Sequence, residues 1–315
     1  MVSPLVSIGV ATYKRPEGLR RLLQGIAGLE FRRLPRPAIE VVVVDNEARG
    51  AAALVCREFP SVGMHLRWCE EPRRGITYAR NRCLQEARPD SEWIAFIDDD
   101  EVPDPGWLEA LLQAQQRHAA DVVTGPVVPV FEGPVPEWVV RGGFFEPRGY
   151  PDGSLREVAF TNNVLMRAAL PAELKLAFDD RLALTGGEDT DFFMRARRAG
   201  ARLVWATDAV VRETVPAQRT RAAWILRRGF REWGSHSYSE RRLDPAPGTR
   251  IVRVLKATAL VAAGCASLPV TALLGRHRSV RSLLLVARGA GSLAGLLGTQ
   301  YAEYRDAGDP PRPSA

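Results

Sequence analysis

Apolar and polar positions fall in blocks whose period changes along the first two-thirds of the chain. Val6 to Ala11 is a short apolar run rich in β-branched residues. A turn follows around Arg15-Pro16-Glu17, and then Leu19, Leu22, Leu23 and Ile26 recur at helical spacing. Ile39 to Val44 reads as a second buried strand, closed by Asp45-Asn46. Leu54, Val55 and Phe59 predict a helix, Met64 to Trp68 a strand, Ile76 to Ala87 a helix, and Trp93 to Ile97 a strand ending at Asp98. Strands alternating with helices, each apolar run closed by polar residues, predict an α/β domain with a mostly parallel sheet. Such sheets bind ligands beyond the carboxyl ends of their strands, where Thr12, Asp45 and Asp98 lie.

After a predicted helix at Trp107 to His118 the pattern changes. Val122 to Phe131 is β-like, and a Gly/Pro-rich stretch runs to about Gly153. Phe160 to Met166, Leu203 to Ala206 and Ala209 to Val211 are strand candidates, and Thr190 to Ala199 a helix. Thr220 to Trp233 predicts an Arg-rich helix carrying Trp224, Ile225, Leu226, Phe230 and Trp233. Ala257 to Gly275 has no charge and, at about 1.5 Å per residue, is just long enough to cross a bilayer core. Leu283 to Leu297 is a second apolar stretch, interrupted by Arg288, with a small-residue spacing at Gly291 and Gly295 that suits close helix packing. Three regions result: 1–215, an α/β catalytic domain; 216–305, an Arg-rich helical region with an apolar hairpin; and 306–315, a polar tail expected to be disordered.

Composition narrows the class. A chain of 315 residues, 46% hydrophobic and 25% charged, has a globular balance, and its glycines and prolines are not periodic, so wholesale disorder and collagen-like structure are excluded. Its four cysteines form no CxxC pair, which argues for reduced thiols rather than a disulfide framework or structural zinc. The net charge of +6 is unevenly placed: Arg212 to Arg305 holds 16 Lys/Arg against 5 Asp/Glu, and the remainder 27 against 32. A basic segment suits nucleic acid or an anionic membrane. Here the arginines are interleaved with long apolar stretches that a nucleic-acid groove does not need. The N-terminal apolar run is short and lacks a basic leader, so it reads as a first strand, not a signal peptide.

Three clusters can carry chemistry. Asp98-Asp99-Asp100-Glu101 follows a buried strand; crowded carboxylates raise one another's pKa, and a hard divalent cation, Mg²⁺ or Mn²⁺, would relieve the repulsion. The same run would also serve as a solvated turn capping the helix that starts near Pro105. Gly186-Gly187-Glu188-Asp189 ends at a predicted helix N-terminus, as a general base or as simple capping acids. Arg74-Gly75 through Arg80-Asn81 opens a helix with a basic first turn that can reach a phosphate or face solvent. No GxSxG, Walker A loop or GxGxxG occurs, and the four histidines lack metal-ligand spacing.

In this order the segments Val6–Arg15, Val42-Val43-Val44-Asp45-Asn46, Arg74-Gly75 to Arg80-Asn81, Phe96-Ile97-Asp98-Asp99-Asp100 and Gly187-Glu188-Asp189 resemble the family 2 glycosyltransferases of the GT-A fold, over roughly residues 5 to 215. The resemblance implies a Rossmann-like mixed sheet flanked by helices, a nucleotide-diphosphate-sugar donor, a divalent cation, and inverting transfer to an acceptor hydroxyl. It implies a nucleotide pocket lined by Thr12, Tyr13 and Arg15, with Asp45 on the base and Arg80 on the nucleotide. Asp98 and Asp100 match the ends of the family's DxD motif, whose last acid supports the metal; the register between Asp99 and Asp100 stays open. Asp189 matches the catalytic base, with Glu188 beside it. Asn162 and Asn163, on the segment that resembles the acceptor side, either hydrogen-bond a sugar or shape a turn.

Processive synthases of that family carry QxxRW after the base. Here Gln218-Arg219-Thr220-Arg221 is followed by Ala222, and Trp224 comes two positions late, so a single addition to a cell-surface polysaccharide or lipid-linked glycan is expected. Basic residues on both flanks of Ala257–Gly275 favour a hairpin or an interfacial pair of helices at the cytoplasmic face of a membrane. Soluble helices packed on the catalytic domain or in a dimer are the alternative. The competing functions are a nucleotidyltransferase, which would need a Gly-rich phosphate loop where Thr12-Tyr13-Lys14-Arg15 stands, and a non-catalytic membrane or nucleic-acid adaptor.

Overall fold

A computed structural model describes residues 4–47, 50–147, 149–299 and 301. The polar tail at 306–315 lies outside the described residues. The first half of the chain alternates as the apolar blocks predict: β1 (Leu5–Thr12), α1 (Pro16–Ala27), β2 (Ala38–Asp45), α2 (Ala52–Glu58), β3 (His65–Glu70), α3 (Ile76–Glu86) and β4 (Trp93–Ile97). Then come β5 (Glu101–Pro103), α4 (Trp107–His118), β6 (Val122–Thr124), β7 (Val127–Phe131), α5 (Glu137–Gly142), β8 (Asn163–Arg167), α6 (Leu170–Glu173), α7 (Glu188–Arg198), β9 (Leu203–Trp205) and β10 (Val211–Val215). Three long helices close the chain: α8 (Ala222–Leu243), α9 (Pro247–Leu273) and α10 (Arg276–Leu296).

Seven strands form one sheet in the order β3-β2-β1-β4-β8-β6-β9. The first four are parallel, β8 runs antiparallel to both β4 and β6, and β9 is parallel to β6, so six of the seven strands point one way and the mostly parallel sheet is made mixed by one reversed strand. The central strands read as largely apolar runs because both their faces are covered, and their polar members Ser7 and Glu40 are buried and hydrogen-bonded to each other. On one face Val6, Ile8 and Val10 meet Leu19, Leu22 and Leu23 of α1. On the other, Val42, Val44 and Phe96 meet α3, Phe178, and Phe192 and Phe193 of α7; Phe178 stacks on Phe192 and meets Phe96 edge-on.

The β-like run Val122–Phe131 breaks into two strands belonging to different sheets. Gly125-Pro126 causes the break: proline cannot donate to a ladder, and a side chain at Gly125 would lie 2.2 Å from the Ala209 carbonyl. Strand β7 leaves for a small sheet, β5-β10-β7. Two other strands are displaced from their expected positions, since β8 starts at Asn163 and β10 runs on to Val215. The Arg-rich helix extends ten residues beyond Trp233. All four cysteines are free.

Candidate active site

Parallel pairing of β1 with β2 puts Thr12 opposite Asp45, and β4 ends beside them, so three carboxyl ends open at one edge. Backbone geometry turns this edge into a site. Lys14 adopts a left-handed φ of 57°, which folds Arg15 back toward the acidic run. Gly18 of α1 passes so close to the run that a Cβ there would sit 2.4 Å from the Asp99 carbonyl oxygen.

The four consecutive acids separate into different environments. Asp99 is 4% exposed; its carboxylate accepts from Thr12 Oγ1 at 2.8 Å and from Arg15 Nη1 at 2.9 Å. Burial, together with the neighbouring Asp100, pushes it up to about 6, against the pull of Arg15 and Thr12. Glu101 lies in β5, buried, and is held well above the ordinary carboxylate range by burial and by Asp98, Asp100 and Glu213. It accepts the Asp98 backbone N–H at 3.1 Å and so shapes the turn instead of facing solvent. Asp98 and Asp100 remain at the rim. Asp100 pairs with Arg15 at 3.0 Å and Arg219 at 3.1 Å.

Thr12, Lys14, Arg15 and Asp45 line a small cleft between β1 and α2. Asp45 is 2% exposed and raised by burial; it accepts the Glu47 backbone N–H at 2.9 Å. Tyr13 is half-buried, with the ammonium of Lys14 5.0 Å and the guanidinium of Arg74 5.9 Å from its ring centre.

Arg80, expected on the nucleotide, is instead a buried bridge. Its Nη2 donates to Asp98 Oδ1 at 3.0 Å and its Nη1 to Glu188. Glu188, expected to assist catalysis beside Asp189, is 2% exposed and turned inward, and its second oxygen is buried with no hydrogen-bond partner. Asp189 is half-buried at the start of α7 and accepts its neighbour Thr190's backbone N–H at 2.6 Å. Dehydration raises its carboxyl, with Asp98 adding and Arg80 opposing. A carboxylate raised this way holds a proton more readily, which suits a general base. Gly186 and Gly187, at φ 75° and 83°, form the left-handed turn that α7 needs in order to start there. Asn81 clamps the Phe178 backbone through two hydrogen bonds of 2.8 Å, fixing the segment that enters this turn.

Asn163 is not free to bind a sugar. Fully buried, it accepts from Trp107 Nε1 at 2.8 Å and donates to the carbonyls of Pro126 and Ala209 at 3.0 and 2.7 Å, pinning the corner where β6 gives way to β7. Asn162 is half-buried on the turn before β8.

Sequence reasoning missed Arg219 and Glu213. Arg219 bridges Glu213 at 2.5 Å and Asp100 at 3.1 Å, and its guanidinium lies 5.6 Å from the Trp224 ring centre. The contact depends on β10 pairing with β5, where Glu213 faces Glu101. The nearest signal in the sequence is Gln218-Arg219 just after a strand, a fragment of the QxxRW pattern.

Among the described residues no group of three or more His, Cys, Asp and Glu side chains is arranged to hold a metal ion. The rim still fits a hard cation of the kind that takes one or two carboxylates and completes its shell with substrate phosphates. Asp98 and Asp100 supply oxygen donors only and lie partly exposed at the rim.

Residues 7–172 match the model of glycosyl transferase family 2, and residues 93–297 that of glycosyl transferase family group 2. The chain is 32% identical over 302 residues to the succinoglycan biosynthesis protein ExoM of Rhizobium meliloti, covering 95% of this chain and 94% of that one. It is 26% identical to a glucosyl-dolichyl phosphate glucuronosyltransferase of Haloferax volcanii, over 76% and 77% of the two chains. Among solved structures, the mannosyltransferase PcManGT from Pyrobaculum calidifontis, in complex with GDP-Man and Mn²⁺, superposes with a TM-score of 0.66 at 20% identity, covering 95% of this chain and 89% of that one.

Proposed function

The chain belongs to glycosyl transferase family 2 and is a glycosyltransferase; on that premise we propose that it moves one sugar from a nucleoside-diphosphate donor to an acceptor hydroxyl with inversion. The observation that carries the proposal is the Asp98–Arg80–Glu188 bridge. It ties the acidic rim to the first turn of α7 and holds Asp189 within electrostatic reach of Asp98.

In this reading Thr12, Tyr13, Arg15 and Asp45 receive the nucleotide, and Asp99 organises Thr12 and Arg15 from below. Asp98 and Asp100 would hold Mg²⁺ or Mn²⁺, which when bound neutralises charge on the donor diphosphate. Asp189 takes the proton of the acceptor hydroxyl. The acceptor oxygen bonds to the anomeric carbon, the bond from that carbon to the diphosphate oxygen breaks, and the nucleoside diphosphate leaves with the electron pair. Arg15 and Arg219, both paired with Asp100, would offset that charge. Attack from the face opposite the leaving group inverts the anomeric centre. Arg80 and Glu188 act as positioning residues. The 1–215 segment forms the catalytic unit in this scheme and 216–305 its attachment.

Relatedness to a succinoglycan biosynthesis protein supports a glycan acceptor, and the apolar α9 supports a lipid-linked one used at the cytoplasmic face of a membrane. The test pairs a transfer assay with a thermal-shift panel of UDP-, GDP- and dTDP-sugars, with and without Mn²⁺. Asp189→Asn should retain the donor-induced shift and lose transfer by about 10²–10⁴-fold. Asp100→Ala should lose the Mn²⁺-dependent part of the shift. Full transfer by Asp189→Asn would refute the assignment of the base.

A further inference from the structure

From Pro245 to Tyr301 the sequence has seven Lys/Arg and no acid. Within it α9 is apolar enough to cross a membrane by length and composition, and only 11% of its most apolar window is buried. Its neighbours determine how such a helix can meet a bilayer. The inner face of α9 is locked to α10 by backbone contact: a Cβ on Gly264 would lie 2.6 Å from the Ser282 carbonyl oxygen, and one on Gly289 would lie 2.5 Å from that of Ala257. Ser282 Oγ adds hydrogen bonds to Ser267 and Thr271 at 2.9 and 3.0 Å.

The opposite side of α10 is locked to α8. A Cβ on Gly291 would meet the Phe230 carbonyl oxygen at 2.0 Å, one on Gly295 that of Gly234 at 2.1 Å, and Ser237 hydrogen-bonds Ser292. At 100° per residue, Leu284, Arg288, Gly291 and Gly295 share one face of α10, and Ser282, Val286 and Gly289 the other. Helix α8 is in turn seated on the catalytic body. Its Ser235 lies 2.4 Å from where a Cβ on Gly187 would be, and its Arg242 pairs with Asp179 at 2.7 Å. Neither α9 nor α10 can stand upright in a bilayer without breaking this stack or pulling the charged α8 into hydrocarbon.

The outer face of α9 is uncharged between Lys256 and Arg276. Leu255, Ala259, Ala262, Ala266 and Leu273 fall within an arc of about 60° on a helical wheel and all are exposed. The bulky members cluster at the two ends: Ile251 and Leu255 are 59% and 63% exposed, Val270 and Leu273 60% and 88%. Exposed Arg250, Lys256, Arg276 and Arg278 flank them.

Resting on the membrane reading above, we propose that α9 lies flat in the headgroup layer of an anionic bilayer, its outer stripe buried and its basic ends on lipid phosphates, and that the chain does not span. Charge selects this occupant over a second copy of the chain, because two such faces would oppose like charges with no acid to pair them. Packed helix axes stand roughly 8–10 Å apart, so the Gly187–Asp189 turn, seated on α8, lies two helix layers from the membrane-bound helix. That height suits an acceptor whose reacting hydroxyl projects well clear of the headgroups.

The test is a depth profile on the full chain with Cys69→Ser and Cys265→Ser, leaving only the buried Cys56 and Cys83. Leu255→Cys, Ala262→Cys, Ala266→Cys and Leu273→Cys each receive a bimane label, quenched by lipids brominated at graded depths in phosphatidylglycerol-containing and pure phosphatidylcholine vesicles. All four labels should report one shallow depth, about 5–10 Å below the headgroups, in the anionic vesicles only. A spanning helix would carry positions 255 to 273 through about 27 Å, so that Ala262 and Ala266 report near the bilayer centre and the end positions near its surfaces. That profile would overturn the flat arrangement while leaving membrane association standing. No partition into either vesicle, in protein that keeps its melting temperature and its donor-induced shift, would overturn both. Equal partition into neutral vesicles, or vesicle-independent dimers cross-linked through Ala262→Cys, would overturn the anionic surface as occupant. Leu255→Glu with Leu273→Glu should cut partition by tenfold or more, as expected from losing two buried leucine side chains.

Discussion

Replacing Arg80 by alanine removes the cation shared by Asp98 and Glu188. Asp98 is about one-third exposed and water can take over its solvation, so little cost is expected there. Glu188 is 2% exposed, its second oxygen already lacks a partner, and it would be left as an unpaired buried carboxylate. Breaking a buried pair from one side costs about 3–5 kcal/mol, a large share of the stability of a single domain. Urea denaturation at pH 7 should register that loss for Arg80→Ala. The double variant Arg80→Ala/Glu188→Gln should recover much of it, because no charge remains to be stranded. Activity behaves differently. Arg80 opposes the upward shift of the Asp189 carboxyl, so without it the shift grows. The base then ionises at higher pH, and the acid limb of the kcat profile should move upward in both Arg80→Ala and the double variant. A stability change below about 1 kcal/mol, or an acid limb unmoved in either protein, would refute the argument that this bridge holds Glu188 and tunes Asp189.

Other outcomes follow from the same geometry. Gly187→Ala meets Ser235 at 2.4 Å and needs a left-handed φ of 83°, so it should lower the melting temperature and uncouple α8 from the catalytic turn; wild-type stability would contradict that packing. Arg219→Gln removes a cation from Asp100 and Glu213, so Mn²⁺ binding without donor should tighten by calorimetry; an unchanged Kd would show that Arg219 does not neutralise the rim. Asp99 is raised to about 6 in the folded chain, so the native state holds a proton that the unfolded state has lost between about pH 4 and 6. Its contribution therefore weakens as pH rises through that window, by an amount on the order of 3 kcal/mol. In urea titrations Asp99→Asn should flatten this slope, and an identical slope in the variant would place the titration elsewhere.

Much of the fold was legible in one dimension because its physical causes are local. Val6–Ala11, Ile39–Val44 and Trp93–Ile97 are apolar but for Ser7 and Glu40, which are buried and hydrogen-bonded to each other, as suits strands covered on both faces, and acids or threonine close them at the carboxyl edge of the sheet. Asp189 was legible for the same reason: two glycines before paired acids mark a left-handed turn feeding a helix N-terminus. The uncharged length of α9 was equally plain.

What the sequence could not determine depends on contacts between distant segments. A run of four acids looks uniform, yet Asp99 and Glu101 are buried and engaged while Asp98 and Asp100 face the rim, because Gly18 presses α1 onto one side and β10 pairs with β5 on the other. Arg80 and Glu188, 108 positions apart, looked like a nucleotide ligand and a second base; packing of α3 against the start of α7 makes them a buried ion pair. In sequence Asn163 could bind a sugar or shape a turn; its amide, fixed at the corner between two sheets, does the second. Hydropathy alone allowed α9 to span a membrane or to lie along it. The glycine contacts that stack α9, α10 and α8 onto the Gly187–Asp189 turn are invisible in one dimension, and the proposed surface-lying arrangement rests on them, since a helix fixed side-on to a charged neighbour cannot enter hydrocarbon without it.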